Sequence, residues 1–231
     1  MFKRLLITIC IFVIITGLAV NAYPGEAVCT VASEKSDFSI TQKQLLQKAK
    51  GRIEAMFGKL ESKPVVVFFE SQDSFWQLQL NEYGSTSFLG SKTCIIIGPK
   101  GQNADVIAHE LMHAETEHRI GYWRRWLELP IWFDEGLAMQ VDYRERYNLP
   151  KDADTSYVRQ LDSISDFSVS DRERLTNHYA SAKYEVGIWV SKIGADSVYT
   201  QLNRISEGLS FEEAWLFSEK ALTKSSNGHN R

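Results

Sequence analysis

The feature that most narrows what this chain can fold into is the stretch from Asn103 to Gly121, where ionisable residues stand inside an apolar helix. Asn103 can cap its start and Asp105 suits the first turn. The helical pattern then runs to about Arg119 and ends at Gly121. Val106, Ile107, Ala108, Leu111 and Met112 give this helix enough apolar surface to be buried, which a solvated helix has no reason to carry. His109, Glu110 and His113 lie among them.

On either side of this helix the pattern segregates. Leu45, Leu46, Ala49, Ile53, Met56 and Phe57 recur at helical spacing, which predicts an amphipathic helix over roughly residues 41–58. Pro64 then introduces Val65-Val66-Val67-Phe68-Phe69, a β-branched and aromatic run that reads as a buried strand. Residues 73–82 read as a helix ending near Gly84. Ser87 to Ile97 reads as a hairpin around Gly90-Ser91-Lys92, its second arm being Thr93 to Ile97. Beyond Gly121, Pro130 opens a helix around Ile131 to Tyr143, and residues 148–168 look polar and loop-like. A long helix follows from about Asp171 to Ile193, and Ser210 with Glu213 forms a capping box for a last one. A few strands followed only by helices argue for an α+β fold: a small N-terminal sheet, the buried helix, then a mainly helical part.

The first 22 residues form a separate unit. Lys3 and Arg4 precede an apolar run from Leu5 to Val20, and Val20-Asn21-Ala22 offers small residues where a signal peptidase reads. We expect a secretory signal over 1–22 and one domain over 23–231, exported to a periplasm or secreted. An uncleaved anchor through residues 5–20 is the competing reading. At sixteen residues that run is shorter than the roughly 20 needed to span comfortably. Membrane contact is expected only if this segment is retained. Export would place Cys29 and Cys94 in an oxidising compartment, where a disulfide between them is possible. A formal charge of -3 provides no broad basic face for nucleic acid, so no such partner is expected, and the domain is expected to be monomeric.

His109-Glu110-Leu111-Met112-His113 is an H-E-x-x-H motif. Residues four apart share a helix face, so both imidazoles can bind one metal ion. Glu110 stands one step round the helix, where a base for a metal-bound water belongs. The motif also arises in helices without metal, so a third ligand has to be found. A second glycine–histidine extension of the motif is excluded by Thr116 and Arg119, and His118 faces away from the pair. Glu135, in Trp132-Phe133-Asp134-Glu135-Gly136-Leu137-Ala138, is the better candidate. An acidic pair within an apolar helix start is costly to bury without a cation or donors. Asp134 reads as a capping residue or as a support for a ligand.

The H-E-L-M-H run, followed by W-F-D-E-G-L-A and later by Tyr179-Ala180-Ser181-Ala182-Lys183-Tyr184, resembles the gluzincin zinc metallopeptidases, in particular the peptidase MA-like domain group. The resemblance spans roughly residues 64–216. It implies a zincin-like fold, Zn2+ held by His109, His113 and Glu135, and Glu110 as general base. It places Tyr179 where larger relatives offer a phenol to the tetrahedral intermediate, with His178 and Tyr184 as alternatives. It also implies an edge strand for an extended peptide or protein substrate at Thr93 to Ile97, giving Thr93, Ile95 and Ile97 as substrate-binding positions. The expected activity is zinc-dependent peptide-bond hydrolysis. The alternative is a zinc-containing peptide-binding module without significant turnover. Trp123, Trp126 and Trp132 could line a substrate cleft or simply fill the core.

Overall fold

A computed structural model describes Cys29 and residues 38–69, 81–89, 92–150 and 152–216. The expected signal or anchor over 1–22 and most of the helix expected over 73–82 lie outside the described residues. Among the described residues no helix is long and apolar enough to cross a membrane.

Three strands form one sheet: β1 (Val65–Phe68), β2 (Gly84–Leu89) and β3 (Lys92–Ile97), in the order β1-β3-β2. β1 runs parallel to β3 and β2 antiparallel to it, with Val65 opposite Cys94 and Thr86 opposite Ile95. The unbroken run Cys94-Ile95-Ile96-Ile97 is buried on both faces, as a central strand requires. Ile95 and Ile97 face the main core, while Cys94 and Ile96 pack with Cys29, Val67 and Phe69 on the other side. Cys29 and Cys94 are joined by a disulfide, their Cα atoms 6.1 Å apart.

α1 (Ile40–Phe57) starts at a capping box made by Ser39 and Gln42 and buries Ala49, Ile53 and Phe57. α2 (Ala104–Ile120) is capped by Asn103, whose side chain accepts from the amides of Asp105 and Val106. It is the hub of the fold and packs against α1, β2, β3 and the later helices. Two short helices follow, α3 (Tyr122–Glu128) and α4 (Ile131–Ala138). α4 passes into a 3-10 turn at Met139–Val141, so the helix expected to reach Tyr143 stops earlier. Further 3-10 turns cross the polar segment before α5 (Arg172–Ile193), which Asp171 caps, and α6 (Val198–Ser206). α3 and α6 have no counterpart in the sequence reading. A final helix begins at residue 211, after the Ser210–Glu213 capping box that the sequence predicts. Among the described residues the strands are confined to 65–97 and the rest is mostly helical, so the fold is α+β.

α4 lies against α5 because Gly136 has no side chain. A Cβ there would meet the Ala182 carbonyl oxygen and Val186 Cγ2, each at 2.5 Å. The same contact buries Phe133, whose ring meets Trp189 at 5.0 Å and Phe211 at 4.8 Å between centroids.

Candidate metal centre

α2 and α4 cross so that three side chains converge. His109 Nε2 and His113 Nε2 are 3.1 Å apart, and Glu135 Oε2 lies 3.3 Å from the first and 3.4 Å from the second. The two histidines come together because they sit four residues apart on one helix face. Glu135 joins them because Gly136 and the apolar face of α4 draw that helix into the core. Both histidines are buried and Glu135 is nearly so.

The donor set could take a cation. His113 Nδ1 lies 2.8 Å from Asp134 Oδ2, so a proton on Nδ1 leaves the Nε2 lone pair aimed at the centre of the cluster. Glu135 Oε2 is buried with no hydrogen-bond partner. Burial by itself would lower the His113 pKa, but the Asp134 and Glu135 carboxylates outweigh it and hold it well above the usual histidine value. Burial would raise Glu135, yet His113 and His109 hold it well below the usual carboxylate range. Glu135 thus stays anionic, the charge that a cation at the centre rewards, whereas the second proton that the two carboxylates hold on His113 has to leave before its Nε2 can ligate. His109, His113 and Glu135 could hold a metal ion.

Asp134 is a support and not a member of the triad. It is buried, and both His113 and the Arg125 guanidinium of α3 pair with it. Burial pushes its pKa up, but Arg125 and then His113 bring it below the usual aspartate value. Arg125 also lies over the Phe88 ring of β2, 4.2 Å from its centre. Nothing in the sequence marks Arg125, because its partners are remote along the chain.

Glu110 points beside the triad, towards β2. Its Oε2 accepts from Thr86 Oγ1 at 2.7 Å. β2 approaches so closely that a Cβ at Gly84 would lie 2.8 Å from Glu110 Oε1 and 3.0 Å from Val106 Cγ1. Thr86 and Gly84 therefore frame Glu110, a role hidden from a reading that begins this strand at Ser87.

The structure separates the three candidates on α5. The Tyr179 ring meets the His109 ring edge-on at 6.1 Å between centroids. Burial raises its phenol well above the usual tyrosine value and Glu135 and Glu110 add to this, so it stays protonated. His178 turns away: its Nδ1 lies 2.8 Å from the Asp166 carbonyl oxygen, and its ring packs near Tyr157 and Phe167. Tyr184 is exposed. His118 is exposed as well, as its spacing predicts.

One expectation needs correction. Thr93, Ile95 and Ile97 do not lie on an edge: β3 is the central strand, paired on both sides, and Ile95 and Ile97 are fully buried. The strand beside Glu110 that closes the sheet on that side is β2. Of the three tryptophans, left open between lining a cleft and filling the core, Trp132 is 4% exposed in the core while Trp123 and Trp126 are 73% and 67% exposed on α3.

Comparison with known proteins adds no family: no family model matches the chain, and neither a curated protein nor a solved structure matches it significantly.

Proposed function

We propose that this chain is a zinc-dependent peptidase of the gluzincin kind, with a zincin-like fold, acting on peptide or protein substrates. The observation that carries the reading is the convergence of His109, His113 and Glu135 next to a separately held Glu110. Three donors about 2.0 to 2.1 Å from a tetrahedral zinc ion sit about 3.3 to 3.4 Å from one another. The sides of this triangle are 3.1, 3.3 and 3.4 Å, which supports zinc. Two imidazoles and one carboxylate are also the ligand chemistry zinc favours in hydrolytic sites.

When bound, zinc lowers the pKa of a coordinated water to about 7 and polarises a carbonyl group. The chain's own residues supply the rest. Glu110 takes the proton from the attacking water and delivers it to the leaving amine. Thr86 holds one carboxylate oxygen of Glu110, which leaves the other for that transfer. The protonated Tyr179 phenol donates a hydrogen bond to the developing oxyanion. Asp134, clamped by Arg125, fixes the tautomer and the orientation of His113. β2 takes over the substrate-edge role expected of β3. The Cys29–Cys94 disulfide accords with the export read from residues 1–22.

The test is Glu110→Gln. It should keep stoichiometric zinc while turnover falls about 10²- to 10⁴-fold, as expected for loss of a general base. Undiminished turnover would refute the mechanism.

A further inference from the structure

The proposed hydrolysis gives the cleft a direction, and the inference here rests on that reading. Glu110 delivers its proton to the leaving amine, so the segment carrying that amine lies on the Glu110 side of the triad. Glu110 touches Gly84 and Thr86 in the first half of β2. Phe88, nearer the other end, lies under Arg125, which reaches His113 through Asp134. The leaving segment therefore passes Gly84 and runs towards Tyr83.

Two arginines meet it there, set between two tyrosines. Arg146 Cζ lies 5.2 Å from the Tyr83 ring centre and 4.8 Å from that of Tyr147. Arg144 Cζ lies 5.9 Å and 5.0 Å from the same rings. Tyr147 in turn meets Tyr179 at 5.9 Å between centroids, which ties the cluster to the metal pocket. The two cations differ. Arg144 is spent on the buried carboxylate of Asp142. Arg146 is exposed, donates to the Tyr147 hydroxyl at 2.8 Å, and has no carboxylate partner among the described residues. The potential at this rim is positive: Arg146 is the main influence holding the Tyr83 phenol below its usual value, with burial opposing and Lys100 and Arg172 adding. A planar guanidinium held between rings keeps its fork of donors oriented for a carboxylate.

We propose that Arg146, framed by Tyr83 and Tyr147, is an acid-recognition site for the leaving segment, so that the preferred substrates carry a carboxylate on that side. The carboxylate is an Asp or Glu side chain or the free C-terminus of the peptide.

Two arms test this on the zinc-loaded, full-length mature protein. In the first, reduced and alkylated albumin is digested and its cut sites are read by mass spectrometry. In the second, tryptic albumin peptides are retained on immobilised Glu110→Gln protein, with or without methyl-esterification of their carboxylates. Acidic residues or free C-termini should be enriched about tenfold on the leaving side and among retained peptides, the size expected of one charged hydrogen bond. Arg146→Gln should abolish the enrichment, and Arg146→Lys, which keeps the charge but loses the planar fork, should recover only part of it. Esterification should abolish retention, and C-terminally amidated peptides separate the two carboxylate sources. Cutting and retention without acid enrichment, or enrichment that survives Arg146→Gln, would overturn the inference and leave the hydrolase reading standing. Absence of cutting beside acid-dependent, Arg146-dependent retention would overturn the hydrolase reading and leave acid recognition standing.

Discussion

α2 carries two buried polar regions, and they differ in how they are answered. One turn beyond the histidines, Glu115 is fully buried, and its carboxylate accepts from the amides of Glu61 and Ser62 and from the Arg119 guanidinium. Each acceptor has its donor, so Glu115 serves the fold by tying the chain before β1 to α2. The region formed by His109, His113 and Glu135 is just as enclosed, but its nitrogen and oxygen atoms face one another and one carboxylate oxygen has no donor. A buried polar group that belongs only to the fold is normally satisfied within it. The contrast separates Glu115 on α2, a carboxylate that serves the fold, from Glu135 on α4, one that could hold a cation together with the histidines of α2.

The largest way to sharpen this contrast is Glu115→Ala. It removes the acceptor shared by two part-buried amides and the Arg119 guanidinium, so denaturant unfolding should register a loss of about 3 to 5 kcal/mol, while the zinc content of the remaining folded protein stays unchanged. Loss of zinc without loss of stability would reverse the assignment. Asp134→Asn should act in the opposite sense. Zinc affinity should fall about 10- to 100-fold in a chelator competition with little change in secondary structure. An unaltered affinity would mean that Asp134 does not support His113. Thr86→Val comes next: loss of one hydrogen bond to Glu110 should lower kcat about fivefold to tenfold, with zinc retained. A change confined to KM would move Thr86 from Glu110 to substrate binding.

The smallest effect concerns Glu117, which is also buried on α2. Burial raises its pKa to about 7, with Arg125 opposing and Asp134 adding. The native state therefore holds this proton more tightly than the unfolded chain, whose value is 4.5. The corresponding stability is fully present below pH 4.5, declines as the pH rises to about 7, and is flat beyond it. Thermal unfolding across that window should show the decline in the wild type and a flatter profile in Glu117→Gln. Equal slopes would assign the pH dependence to other groups.

What the sequence made legible is what local spacing dictates. Two histidines four apart on a capped helix have almost no freedom to diverge, and an acid flanked by Trp132, Phe133 and Leu137 is carried into the core by its neighbours. The cap at Asn103 and the capping boxes are equally local. Strand order was not legible, because hydrogen-bond partners in a sheet are chosen across the fold. The burial of Cys94 to Ile97 on both faces, which marks a central strand, was already present as an unbroken apolar run. Gly136 lets α4 approach the Ala182 carbonyl and Val186 of α5, a contact that no local pattern announces. Thr86, Arg125 and Arg146 acquire their roles only through residues brought together by folding.

Zinc content tests the central claim most directly. The purified protein should be reconstituted with zinc, dialysed and measured by elemental analysis beside Glu135→Ala. The account predicts about one zinc per folded wild-type chain and far less in the variant, because two imidazoles alone leave the site a ligand short. A folded wild-type protein that retains no zinc, or a Glu135→Ala protein that retains as much as the wild type, would contradict it.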